Sequence, residues 1–328
     1  MKIVALLLLA GLGAGGWYFW KHQHAEQASA ETLEASTLAD PATTVAKAPP
    51  APVLPPAAIQ ALAVADAAWA KAGPAAATSA AAPDLARLYS TALRTLYNQP
   101  NAAAREEQLI RERLTPLGDA LFFSRTPFPN DSQFTTHTIV RGESPEAVAR
   151  KYGISRELVN RFRGKDSNDS NVKVGDSFKV LRLIGQTDPV KRGFQIHIDK
   201  SQFTLDLFIA GMFARRYACS HGAVQSPTPI GQTFITNRVW HPDWTHPISH
   251  KVIRYGEPDH LLGPIWLPFD GKTLGKNGIG IHGYTGADAK MGVMVSNGCI
   301  RLENQNAEEL YQTVSHPDRS PIAVEIVE

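Results

Sequence analysis

The sequence predicts a multidomain chain: an N-terminal membrane helix, a small α-helical segment, a βααβ unit and a mostly-β C-terminal domain. Three observations carry that prediction. Residues Ile3 to Trp20 contain no charge, alanine makes up half of the stretch from Ala57 to Leu88, and beyond Thr135 the apolar residues fall into short runs punctuated by Gly and Pro. At 328 residues, 43% of them hydrophobic, the chain has room for two or three domains with buried cores. A formal net charge of +2 leaves no electrostatic footprint for nucleic acid. Two cysteines, Cys219 and Cys299, are too few for a disulfide scaffold or a cysteine-based zinc module.

The first 24 residues read as a membrane anchor or signal segment. As a helix the charge-free run would span roughly 27 Å, close to the hydrocarbon thickness of a bilayer. Trp17, Tyr18 and Trp20 close it like an interfacial belt, which favours an uncleaved anchor. Ala28-Ser29-Ala30 has the pattern of a cleavage site but lies ten residues beyond Trp20, so a cleaved signal is the second reading. Either one places the rest of the chain outside the cytoplasmic membrane. Residues 25–56 form an Ala/Pro-rich linker that cannot bury enough apolar surface to fold.

Residues 57–124 read as an α-helical region of unknown role. Helices are expected near 57–72, 84–97 and 102–120, the first two separated by Gly73-Pro74. Leu109, Ile110, Leu114 and Leu117 supply one apolar face of the third. Residues 135–183 follow as a strand, two short helices with Ser155 as N-cap of the second, and a closing strand at Val174–Val180. From Gly193 to Glu328 short strands alternate with turns such as Asp199-Lys200 and Ala210-Gly211. A helix is expected near 305–315, capped by Asn304.

Cys299 invites a chemical reading. A thiol with a pKa of about 8.5 is only slightly ionised at neutral pH, so a nucleophilic cysteine needs a base, and histidine is the side chain that titrates in range. Gly298 lets the backbone approach a substrate, and the turn Asn297-Gly298-Cys299 could aim successive N–H groups at a developing oxyanion. His282, flanked by Gly283, is the candidate base. The plainer alternative is a buried small hydrophobe. Cys219 reads as a structural strand end, with a Cys219–Cys299 disulfide as a minority alternative that would silence the thiol. His241, His246, His250 and His260 have spacings that match no helical metal-ligand pair, so no metal is expected and the segment around them reads as a lid or substrate-groove loop.

Two families are resembled. HTIVRGESPEAVARKYGIS and VKVGDSFKVL, within residues 135–183, resemble a LysM domain, which implies binding to N-acetylglucosamine-containing glycan, that is, peptidoglycan. His137 stands where that family usually has Tyr, Pro145 where it has Leu, and the inter-helix end is altered to RFRGKDSNDSN. Ile281-His282-Gly283 and Ser296-Asn297-Gly298-Cys299-Ile300-Arg301 resemble the marks of the L,D-transpeptidase catalytic (YkuD) domain. Thr228-Pro229-Ile230-Gly231 and Leu262-Gly263-Pro264 agree with its flanking turns, across residues 193–328.

The second resemblance implies an acyl transfer without cofactor on peptidoglycan stem peptides, in a bacterial cell envelope. Cys299 would be nucleophile and His282 base, with backbone N–H groups of Asn297, Gly298 and Cys299 at the oxyanion. Gly283, Ser296 and Arg301 would support the site or bind substrate. It also implies acylation of Cys299 by carbapenems. Asn297 replaces the family's usual His, so a proton-transfer role there is lost, while its backbone donor remains. Hydrolysis of the same bond and a non-catalytic wall-binding tether are the rival readings.

Overall fold

The computed structural model describes residues 54–188, 192–246, 249–286 and 290–328. The charge-free run 3–20 and most of the linker lie outside them. Among the described residues no helix is long and apolar enough to cross a membrane.

The alanine-rich stretch forms α1 (Pro56–Ala72) and α2 (Ala82–Leu96), broken at Gly73-Pro74. Along α2, Leu85, Tyr89, Ala92, Leu93 and Leu96 recur at helical spacing and are buried. The third helix starts as α3 (Ala103–Leu109) but does not stay regular. It passes through widened turns at Ile110–Leu114 and Asp119–Phe123 on either side of Thr115–Gly118. Pro116 has no N–H to offer the carbonyl four residues back, so the i→i−4 ladder cannot run through it.

In the βααβ unit, β1 (Phe134–Thr138) and β2 (Ser177–Leu181) pair antiparallel, with Phe134 opposite Leu181 and Thr138 opposite Ser177. Between them lie α4 (Pro145–Tyr152) and α5 (Arg156–Arg163). Each helix begins on a serine. The Ala147 N–H donates to Ser144 Oγ at 3.1 Å and the Leu158 N–H to Ser155 Oγ at 3.0 Å. His137 is buried, its ring nitrogens 3.1 Å from the Tyr152 hydroxyl and 2.9 Å from the Glu143 carboxylate.

Thirteen further strands build the C-terminal domain. They are β3 (Phe194–Asp199), β4 (Thr204–Ile209), β5 (Met212–Ala218), β6 (His221–Gly222), β7 (Gly231–Phe234), β8 (Val239–Trp240) and β9 (Trp244–Thr245), then β10 (Val252–Ile253), β11 (Ile265–Pro268), β12 (Gly280–His282), β13 (Met294–Ser296), β14 (Ile300–Arg301) and β15 (Ile322–Val327). A five-stranded sheet has the order β5-β4-β3-β15-β7 and a four-stranded one β14-β12-β11-β8, with β13 paired to β6 and β10 to β9. Most pairs are antiparallel, but β15 runs parallel to β3, β14 to β12 and β13 to β6. Two helices interrupt the strands, α6 (Gly271–Leu274) and α7 (Asn304–Thr313). Asn304 does not cap α7; Glu303 holds the cap position without a side-chain bond, and Asn304 Oδ1 instead accepts the Tyr284 N–H at 2.8 Å.

The three regions pack as one compact unit, residues 52–328. Gly118 approaches the Ala214 carbonyl of β5 so closely that a Cβ there would overlap it. The Phe213 N–H donates to Ser90 Oγ at 2.8 Å, and the Tyr97 hydroxyl donates to Asp206 at 2.6 Å. Asp206 also accepts two 2.7 Å bonds from Arg216. The helical region thus braces the β4–β5 side of the larger sheet. From the βααβ unit, Ser155 Oγ donates to the Gln312 carbonyl at 2.6 Å and Glu157 meets Arg238 at 3.1 Å.

Candidate active site

The site lies where β12 and β14 run side by side, with Ile281 opposite Ile300 and His282 opposite Arg301. Strand alternation sends Ile281, Ile300 and Leu302 into the core and turns His282, Cys299 and Arg301 to the other face. That face is one wall of a cleft of about 320 Å³, which Ser296, Asn297, Trp266 and Tyr284 also line. Asp243, Trp244 and Thr245 at the start of the β9–β10 hairpin line the cleft too, with Leu261 and Leu262. The segment expected as a lid or substrate-groove loop thus contributes residues to the lining of the cleft.

The orientation of His282 is set by the backbone. Its Nδ1 lies 3.2 Å from the Leu262 carbonyl and against the carbonyl of Gly283. A carbonyl can only accept, so Nδ1 carries the proton and Nε2 is left as the basic nitrogen. Burial first, then the nearby Arg301 charge, hold the imidazole's pKa down to about 4, against the smaller opposing effect of those two carbonyls. Leu262 was visible in the sequence only as part of a Leu-Gly-Pro stretch. Its contribution is a main-chain oxygen, which any residue type would supply.

Cys299 is half-buried, its sulfur 4.0 Å from the Gly278 carbonyl. Burial pushes its thiol above the ordinary value, while the Gly280 N–H and the Arg301 and Lys276 charges work against that rise. Burial thus works against the charged form of each group. Cys219 is fully buried, is not disulfide-bonded, and has its thiol pushed up to about 12, chiefly by burial. That environment leaves it inert.

The turn before Cys299 is organised by hydroxyls. Ser296 Oγ donates to the Cys299 carbonyl at 2.6 Å and accepts the Gly298 N–H at 3.1 Å. Thr228 Oγ1 donates to the Gly298 carbonyl at 2.9 Å and accepts the Gly222 N–H at 2.9 Å. Of the three N–H groups expected at the oxyanion, those of Asn297, Gly298 and Cys299, the Gly298 N–H is the one that donates to Ser296 Oγ in this structure. Ser296 is a builder of the turn, and Gly283 supports His282 through its carbonyl from behind the wall. A Cβ on Gly283 would run into Asn304 Oδ1 and Pro264. The Arg301 guanidinium lies 3.8 Å over the Tyr284 ring, and its buried Nε has no partner among the described residues.

Three of the four histidines of this segment meet rings or a carbonyl. His241 stacks between Trp240 and Tyr255, with centroids 4.6 Å and 3.9 Å away. His260 is buried with Nε2 2.8 Å from the Pro242 carbonyl. His246 packs edge-on to Trp244, and His250 is exposed.

Residues 193–325 match the family described as the L,D-transpeptidase catalytic domain, YkuD. YkuD of Bacillus subtilis (strain 168) is 27% identical over 187 residues, 57% of this chain and 98% of that protein. YqjB of the same organism is 36% identical over 98 residues, 30% of this chain and 53% of that protein, so the chain spans about half the length of that relative. Both carry the name L,D-transpeptidase provisionally. Among solved structures, the catalytic domain of an E. faecium L,D-transpeptidase is 19% identical, covering 40% of this chain and 95% of that one with a TM-score of 0.31.

Proposed function

We propose that the C-terminal domain transfers acyl groups from peptidoglycan stem tetrapeptides, with Cys299 as nucleophile and His282 as base. The observation that carries this reading is the bond from His282 Nδ1–H to Leu262, which leaves a neutral Nε2 in the cleft that Cys299 also lines. Cys299 Sγ attacks the carbonyl of the third stem residue while Nε2 takes the thiol proton. An S–C bond forms, and backbone N–H groups of Asn297 and Cys299 receive the oxyanion. On collapse the bond to the terminal D-Ala nitrogen breaks, and the imidazolium returns its proton to that leaving amine. An acceptor amine then attacks the thioester, giving up a proton through His282 and restoring the thiol. The Nε of Arg301, without a partner among the described residues, suits a substrate carboxylate.

Burial works against a thiolate and an imidazolium alike, which explains why a base must act during attack. It also makes thiol reactivity at neutral pH a poor way to separate an enzyme from a tether. The βααβ unit is proposed to hold the glycan as a LysM-like module, and the match to YkuD, longer than the 193–328 stretch, reaches upstream towards it. The run 3–20 is proposed as the anchor that places the protein in the cell envelope, facing the wall.

Incubation with disaccharide-tetrapeptide muropeptides, followed by chromatography and mass spectrometry, tests the reaction. Cross-linked dimers formed with loss of D-Ala are expected, and Cys299→Ala is expected to abolish them with its circular dichroism unchanged. Tripeptide monomers alone would make the protein an L,D-carboxypeptidase, and no product from folded, reduced protein would favour the tether.

A further inference from the structure

The loop that follows α6 brings a cation to the catalytic turn from a direction that the catalytic strands do not supply. Lys276 Nζ is tied to Ser226 Oγ at 3.2 Å and to the Pro227 carbonyl at 3.3 Å, both in the loop between β6 and β7. It sits against Gly298, where a Cβ would come within 2.5 Å of Nζ. The adjacent Thr228 is the residue whose hydroxyl holds the Gly298 carbonyl. One ammonium group therefore bridges the Thr-Pro turn and the turn that presents Cys299.

We infer that Lys276 is a positioning residue for the acyl transfer, whose charge, fixed behind Gly298, stabilises the Cys299 sulfur as it becomes anionic. An ammonium has three donors and two are used here, so its tether is firm and its charge stays in place. Asn297 cannot carry a charge at the position where the resembled family usually has a histidine, and Lys276 supplies one on the same turn. The other charged or titratable groups around the thiol are His282 on β12, Arg301 on β14, Tyr284 after β12 and Asp243 before β9. Arg301 and Lys276 are the cations among them that act against the rise in the thiol's pKa.

The inference rests on Cys299 being the nucleophile, and its test reads the thiol directly, so it can fail without the acyl-transfer reading failing. The full chain is alkylated with iodoacetamide across a pH series, and Cys299→Ser supplies the background from Cys219. Lys276→Gln keeps hydrogen-bond donors for Ser226 and Pro227 but removes the charge, while Lys276→Arg keeps the charge. In Lys276→Gln the midpoint of the Cys299 profile should move up by about half to one pH unit, roughly a three- to tenfold loss of thiolate at a fixed pH below it. Lys276→Arg should stay within about twofold of the parent, the margin allowed for a cation of different shape. A Lys276→Gln profile superimposable on the parent, or Lys276→Arg shifted as far as Lys276→Gln, would overturn the inference, the latter reducing Lys276 to a packing role.

Discussion

Replacing His282 with Asn should make the fold less sensitive to acid. In the native protein the buried imidazole has its pKa held down to about 4, against an ordinary value of 6.5 in the unfolded chain. Between those values the unfolded state binds a proton that the native state refuses. Stability therefore rises with pH through that window and falls as pH drops from 6.5 towards 4. Two and a half units correspond to about 3 kcal/mol in full, and to about 2 kcal/mol between pH 7 and pH 4.5. Asparagine can still offer an N–H to the Leu262 carbonyl but does not titrate, so the variant lacks this contribution. Urea unfolding of parent and variant at both pH values gives the double difference, in which all other titrating groups cancel. The parent should lose about 2 kcal/mol more than His282→Asn on acidification. Equal losses would mean that the native imidazole takes up its proton normally, and the picture of a neutral, carbonyl-held base would be wrong.

Gly298→Ala places a side chain at a φ of +111° and drives its Cβ towards Lys276 Nζ, so it should cost about 1–3 kcal/mol in urea unfolding and depress turnover more than it depresses stability. Tyr97→Phe removes the 2.6 Å bond to Asp206, 109 residues away in sequence, and should cost about 1–3 kcal/mol while leaving kcat unchanged. A loss of turnover in that second variant, at a temperature where it remains folded, would show that the helical brace does more than support the sheet.

How much could be read beforehand depended on whether the information was local. The serine N-cap of α5, the break at Gly73-Pro74 and the turn at Ala210-Gly211 are written in adjacent residues, and the structure places them where expected. Cys299 and His282 were picked out because nucleophilic chemistry needs particular residue types in particular surroundings, and the structure places both on one cleft. The third helix runs on to Phe123, past the expected range, and loses its regular ladder around Pro116, whose missing N–H an apolar periodicity does not register. The role of the helical region was illegible because alanine-rich faces carry no chemistry and its ties to β4 and β5 join residues about a hundred positions apart.

Within the site, what the sequence concealed was mostly main chain. The carbonyl that fixes the His282 tautomer belongs to a leucine, and the Gly298 N–H is taken by a hydroxyl two residues earlier. Asn304 looked like a helix cap by type and position, yet its side chain is spent on the Tyr284 N–H, holding the segment that leaves β12. Lys276 offered no signal in the sequence, because a lysine beside Gly and Asn is an ordinary surface loop until the chain folds it against Gly298.

The central claim, that Cys299 is the acyl-accepting nucleophile, is tested most directly by trapping the intermediate. Parent protein mixed with a stem tetrapeptide and quenched in acid should gain the mass of the peptide less D-Ala, and digestion should place that mass on Cys299. The account predicts this adduct in the parent and its absence from Cys299→Ala. An adduct that persists in Cys299→Ala, or free D-Ala released with Cys299 never modified, would contradict it.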